Sequence, residues 1–401
     1  MELVSVRGLA FLLLAAAFVL PAAAANKVTV QQLEQAVAAA HARPDKDAAQ
    51  EIGGLELTER LTTARLEKLK AALPGEQSRQ ALIAVADASA FLALPSADIP
   101  PGAAPDAATQ GHIMSLAADF VMATIPKMPN FLATRTTTRF QDLKLTYVFQ
   151  EPTFEANQSF QFIDRTSAGV LYRDGTEVLE KEHSKNAASA RPAQTGSSSW
   201  GEFGLMLGYV MADLLKGKMG WGHWEQDAAG PVAVFRFAVA EGKSHYMVKY
   251  CCSMTSDGEM HEFRARPPYH GEIAVDPNTG VVLRMMVESD LKPNHQIFRA
   301  DTVVEYGPVD IGGRGYICPV RSVSITTGIE VVAKGIRYVG QDVFYEDIVG
   351  TPKVTAINDV VFGNYHQFRS EMRILPADAS ELDGNKPADA PANPPKTPPT
   401  Q

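Results

Sequence analysis

Few side chains in this 401-residue chain stand at spacings that chemistry requires. The richest stretch is "GEMHEFRARPPYHGEIAV" (258–275). If the short strands flanking Arg266-Pro267-Pro268 form a hairpin, His261 lies opposite Glu272 and Phe263 opposite His270. His261, His270 and Glu272 then share one face, a His₂Glu set of the kind that binds zinc. The same alternation supports a plainer reading, in which Tyr269, Ile273 and Val275 turn inward and leave the three polar groups in water. No open catalytic geometry follows from either, so neither a metal nor a cofactor is expected.

The next stretch, Asp276-Pro277-Asn278-Thr279-Gly280, alternates oxygen-bearing side chains and ends in glycine. A helix-flanked calcium loop needs a glutamate at its twelfth position, which here is Val287. Its flanks, "GEIAVD" and "VVLRMMVE", are two strands of matching length, so the segment reads as a hairpin turn. "DIGGRGY" (310–316) reads as a second.

"WGHWEQD" sets Trp221 and Trp224 around His223, either a sugar-stacking pair or a packed loop. In the closing strand, Asn364 and His366 share parity with Phe362, Phe368 and Met372. Polar groups on an apolar face are either ligand contacts or a hydrogen-bonded core pair. The three cysteines are Cys251, Cys252 and Cys318. Adjacent strand residues point to opposite faces, and Cys252 shares parity with Val248 and Tyr250. A Cys252–Cys318 disulfide is therefore expected, with Cys251 left over. G-x-S-x-G, HExxH, P-loop, GxGxxG and CxxC patterns are absent. No catalytic residue is assigned, and a non-enzymatic protein is expected.

The elements that must position these groups fall into regions. Residues 1–25 carry Arg7, a short apolar run from Leu9 to Leu20 and a string of alanines, the pattern of a secretory signal peptide cleaved near Ala25. A periplasmic or extracellular protein is expected. Its net charge of −9 argues against a nucleic-acid partner. From 26 to 130 the apolar residues recur three and four apart, as in "LELTERLTTARLEKLKAAL" and "QGHIMSLAADFVMATIP". This helical region reads as a packing cap or a partner-binding arm. From 131 to 375 the period changes to two, with turns at short intervals, which predicts an antiparallel meander. Residues 376–401, rich in Pro, Ala and Asp, have nothing apolar to bury and are expected to be disordered.

Two interruptions stand out. His183–Ser199 is small, polar and aperiodic, the composition of a mobile loop. The helix that follows, Glu202 to Lys216, is apolar around nearly its whole circumference and should be buried.

The hairpin "GEIAVDPNTGVVLR", an apolar helix against a continuous sheet, and the closing "VVFGNYHQFRSEMRI" strand resemble the LolA/LppX-type half-barrel, which includes the amino-terminal domain of RseB-like sensors. The blocks "LELTERLTTARL", "NFLATRTTTRF", "YHGEIAVDPNTG" and "VEYGPVDIGGRGYICPVRS" resemble those of uncharacterised secreted acidobacterial proteins. The half-barrel resemblance implies a concave sheet face, closed by helices, that holds acyl chains. The expected architecture is α+β: a helical amino-terminal region, then a large antiparallel half-barrel with a buried apolar helix. The expected ligand is apolar or lipid-like, a lipid or a lipoprotein. The residues expected to meet it are Phe203, Met206, Tyr209 and Met211 near the helix, Phe235, Phe237, Tyr246, Tyr250, Leu283, Met285 and Tyr306 from strands, and Phe362 and His366 from the closing strand. The other readings are an envelope module that meets protein partners and, last, a hydrolase without a known motif.

Overall fold

The computed structural model describes residues 26–148, 151–179, 183–184, 196–197, 201–214, 216–254, 260–292, 296–339 and 342–367. The expected leader, the expected tail and most of the 183–199 loop lie outside these residues.

The amino-terminal elements are β1 (Asn26–Val28), α1 (Val30–Ala40), α2 (Asp45–Gly53), β2 (Leu55–Leu57), α3 (Thr63–Ala72), α4 (Glu76–Ala88) and α5 (Ala107–Thr124). Strands follow: β3 (Phe131–Val148), β4 (Glu151–Arg173), β5 (Thr176–Leu179), β6 (His183–Ser184) and β7 (Gly196–Ser197). Then come α6 (Leu205–Leu214), β8 (Lys218–Gln226), β9 (Pro231–Val239), β10 (Val248–Met254) and β11 (Met260–Ala265). The chain closes with β12 (Tyr269–Val275), β13 (Val282–Ser289), β14 (Ile297–Asp310), β15 (Gly315–Val339) and β16 (Asp342–Gln367). The architecture is α+β. No helix among the described residues is long and apolar enough to cross a membrane.

One large antiparallel sheet runs in the order β5-β4-β3-β16-β15-β14-β13-β12-β9-β8, with β6 also on β4, and it is not closed into a barrel. Side chains alternate between its two faces, and each face has its own helical cover. On one face Met286, Val303, Val323, Ile325, Ile357 and Phe140 pack against Leu33, Ile52, Leu66 and Leu82 of α1–α4. On the other, Met285, Val304, Phe235 and Phe237 pack against Ile113, Ala117 and Val121 of α5 and Met206, Val210 and Met211 of α6. The amino-terminal helices therefore pack against the sheet.

Local chemistry explains where the periodicity misled. "LELTERLTTARLEKLKAAL" is not one helix: Leu55–Leu57 pairs in parallel with β1, and Thr62 caps α3 by accepting from the Arg65 N–H at 3.4 Å. Leu57, Leu61 and Leu66 are still buried together. Both glycine turns form as expected. Asp276 Oδ1 accepts from the Asn278 N–H at 2.8 Å, and Gly280 takes φ +74°. A Cβ on Gly280 would lie 2.4 Å from the Leu116 carbonyl oxygen of α5, so glycine is required there twice over.

The expected hairpin around Arg266-Pro267-Pro268 does not form. β11 pairs with β10, and β12 pairs with β9 and β13, so His261 lies opposite Ser253 and Glu272 opposite Arg236 and Met286. Consecutive prolines remove two N–H donors and send the chain from one sheet to the other. The same separation overturns the Cys252–Cys318 disulfide. Cys318 is free and buried among Phe131, Tyr172 and Phe203, whereas β10 belongs to a three-stranded sheet with β7 and β11 and packs Val248 and Tyr250 on Ile297 and Ala300.

Candidate functional site

The face under α3 and α4 carries the charged groups that the sheet concentrates. Strand register sets Arg236 of β9, Glu272 of β12 and Met286 of β13 in one row, and His270 opposite Glu288 in the next. In β8 the register shifts between Trp221 and His223. That bulge turns Trp221 and Trp224 to the face of Phe235 and Ala233, and His223 and Glu225 to the other. Trp221 stands edge-on to Phe235 at 5.4 Å, and Trp224 Nε1 donates to the Ala103 carbonyl at 3.1 Å. The tryptophans are packing groups, as in the second of their two readings, but they lie on a strand and not in a loop.

Arg60 enters this face from the link between β2 and α3. Its N–H donates to the Ala93 carbonyl at 2.8 Å, which ties the link to the segment 91–94. Its Nη2 donates to Glu225 Oε1 at 2.7 Å. Arg284 grips the same carboxylate with two parallel bonds of 2.8 Å, and His223 Nε2 lies 3.0 Å from Oε1. Burial alone would raise the Glu225 carboxyl, but His223, Arg284 and Arg60 together hold it well below the usual carboxylate range. Burial pulls the Arg60 guanidinium down, and neighbouring Arg284 adds to this.

Between this wall and the segment 91–94 lies a cavity of about 330 Å³. Phe91, Leu92, Leu94, Ile99 and Met286 give it an apolar side, and Arg60, His223, Arg236, His270, Glu272 and Glu288 a polar one. Arg236 Nε donates to Glu272 Oε1 at 3.2 Å. His270 faces Glu288 at 3.8 Å and Asp290 at 3.2 Å. Burial, then the Asp301 charge, raise the Glu288 carboxyl.

A second charged group continues the seam. Arg321 of β15 donates Nε to Asp359 at 2.9 Å and Nη1 to Thr63 at 3.0 Å, and its Nη2 bonds Asp87 of α4. Thr63 in turn donates to Glu305 at 2.8 Å. Burial raises the Asp87 carboxyl and Arg321 opposes the rise.

His223, Glu225 and Glu272 offer ligand atoms within 4.8 Å of one another. The donor set does not fit a divalent cation, because two guanidinium groups occupy Glu225 and a third holds Glu272. Of the expected zinc set, His270 and Glu272 line one cavity, whereas the β11 backbone at His261 belongs to the other sheet.

The residues expected to meet a ligand are dispersed. Met206, Met211, Phe235, Phe237, Met285 and Tyr306 pack on one another beneath α5 and α6. Phe203 and Phe362 meet edge-on at 5.2 Å in the neighbouring cluster. Tyr246 packs on Tyr269 at 5.5 Å, and Tyr250 joins Val248. Leu283 falls in the small cluster of Val232, Val234 and Ala274, because a register shift between Ala274 and Val275 breaks the strand's parity. Tyr209 is 43% exposed on the outer side of α6, so that helix is not buried all round. His366 is exposed, and a shift between Gly363 and His366 removes it from the apolar parity of Phe362. Of the cavity's lining residues, only Phe237 was among those expected.

Sequence reasoning missed Arg60, Glu225, Arg284 and Arg321. A signal was present for two of them: Arg284 and Arg321 interrupt the otherwise apolar runs "VVLRMMV" and "CPVRSVSI". A charge inside an apolar strand needs a buried partner. Searches of protein-family models, curated proteins and solved structures returned no match to this chain.

Proposed function

We propose that this chain is an exported, non-enzymatic binding protein whose ligand is a small molecule with an apolar body, held between the segment 91–94 and strands β8, β9, β12 and β13. The observation that carries the reading is the cavity of about 330 Å³ with one apolar and one charged wall. Small-molecule pockets span about 300–1,000 Å³ and combine apolar linings with a few placed polar groups. Export rests on the apolar leader and its alanines. The half-barrel resemblance would put an acyl chain on the face beneath α5 and α6. Side chains of those helices already fill that face, which favours the opposite face and a ligand smaller than a lipoprotein.

A second reading, an envelope module that meets protein partners, is favoured by the same filled face. Two measurements separate them. Native mass spectrometry of the full chain, purified gently from its own envelope, should release a bound small molecule. Nile red should bind the chain, and Ala93→Trp at the cavity wall should weaken that binding about tenfold with an unchanged unfolding midpoint. No bound molecule, together with dye binding indifferent to Ala93→Trp, would sink the reading and leave the interaction module.

A further inference from the structure

We infer that the ligand of this cavity is a zwitterion with an apolar side chain, of the class of free α-amino acids such as leucine or methionine. This rests on the reading of the cavity as a ligand site and adds the chemistry of the head group. The polar wall carries both signs of charge, the guanidinium groups of Arg60 and Arg236 and the carboxylates of Glu272 and Glu288, beside the imidazoles of His223 and His270. Behind it Glu225 is already neutralised by Arg284 and Arg60.

The cations have donors to spare. Arg60 is 7% exposed, and among the described residues its guanidinium has one hydrogen-bond partner, Glu225, for five N–H groups. Arg236, at the open rim of the cavity with a side chain 66% exposed, donates through Nε to Glu272, which leaves its two Nη groups open to a ligand or to solvent. The carboxylates have acceptors to spare. Among the described residues Glu272 Oε2 has no donor, and the one ion pair of Glu288 is the 3.8 Å approach of His270, with the Arg299 charge acting from farther off. Glu288 is half-buried, and its partial burial and the Asp301 charge raise its carboxyl against the opposing charges of His270 and Arg299.

Each simpler ligand leaves part of this wall uncompensated. An anion satisfies the arginines and faces two carboxylates; a cation does the reverse. A purely apolar molecule covers the free edges of Arg60, Glu272 and Glu288 and returns no hydrogen bond to them. A molecule carrying both charges close together, with a short apolar body against Phe91 and Met286, meets every group.

The test uses the full chain and calorimetric titration with L-leucine, 4-methylpentanoate, which lacks the amine, and 3-methylbutylamine, which lacks the carboxylate. Leucine should bind at least about tenfold tighter than either, the worth of one charge-assisted hydrogen bond. Arg236→Met should erase leucine's advantage over the amine, and Glu288→Gln its advantage over the acid. Equal binding of leucine and either analogue overturns the zwitterion. If Nile red binds in the cavity and leucine does not displace it, the head-group inference falls and the cavity reading stands. If neither binds, both fall.

Discussion

The carboxyls of Glu177 and Glu225 are shifted in opposite directions, and each makes a different prediction about pH. Glu177 of β5 accepts from the Gly201 and Phe203 N–H groups at 3.2 and 2.8 Å. Burial, then the neighbouring Glu202 charge, raise its carboxyl from an ordinary value near 4.5 to about 7. Between those values the folded state keeps a proton that the unfolded chain has released. Its contribution to stability is therefore full in acid and is lost as pH rises through about 7. Glu202→Gln removes one of the two causes, so its stability relative to the parent should be higher at pH 8 than at pH 5 by roughly 1 kcal/mol. Urea melts at the two pH values check this, and an equal difference at both would refute the coupling. Glu225 has the opposite sign: its depressed carboxyl contributes stability at neutral pH that disappears only in acid, below the usual carboxylate range. Glu225→Ala strands Arg60 and Arg284 without their shared partner and should cost about 3–5 kcal/mol at pH 7. A loss under 1 kcal/mol by denaturant titration would show that the arginines find other partners.

Among the elements, α6 decides whether one face of the sheet can open. Its apolar composition and the glycines around it permit a lid. Its anchors oppose one. Ahead of it, Glu177 grips the backbone, and Glu202 lies 3.4 Å from Ser322 and 3.9 Å from Arg135. At its end, fully buried Asp213 accepts from Tyr269 Oη and the His245 N–H at 2.8 Å each, and bonds the His245 ring. Cys318 can report the motion, because it lies against the same cluster as Phe203, which precedes the helix. Burial pushes its thiol up to about 12, so both access and thiolate chemistry are suppressed in the fold. Labelling of Cys318, followed by peptide mapping, should occur only at the rate of global unfolding. Labelling that outpaces global unfolding would revive the lid. The strands and turns were legible because a period of two and glycine turn chemistry are local signals; "DPNTG" and "DIGGRGY" each carry their geometry in five to seven residues. Face assignments failed wherever a register shift intervened, as at Gly222, Ala274 and Gly363, because one extra residue reverses every side chain beyond it and leaves no mark in the hydropathy pattern.

For the whole molecule, the sheet has two buried faces, and sequence parity alone describes only one. Val304 and Tyr306 of β14 meet the α5–α6 cover, whereas Val323 and Ile325 of neighbouring β15 turn to the opposite side and meet α1–α4. Most of the candidate site was hidden for a related reason: Glu225 and Arg284 are brought together by the order of strands in the sheet, and Arg60 joins them only when the amino-terminal layer docks. That docking has a single-residue test. Arg321 is the one side chain described here that bonds the sheet through Asp359, α3 through Thr63 and α4 through Asp87. Arg321→Met keeps most of the side chain's packing volume and removes the charge. Asp87 and Asp359 are then left buried without their shared counter-ion, which should cost about 3–5 kcal/mol. Because the apolar contacts of α1–α4 with Met286, Val303 and Val323 remain, the layers should still unfold together. Denaturant melts of the variant followed by near- and far-ultraviolet dichroism should show one coincident transition at lower urea, with an unchanged slope. Two separated transitions, with helical signal lost before the sheet, would mean that the amino-terminal layer is held by this guanidinium and not by the apolar seam around it.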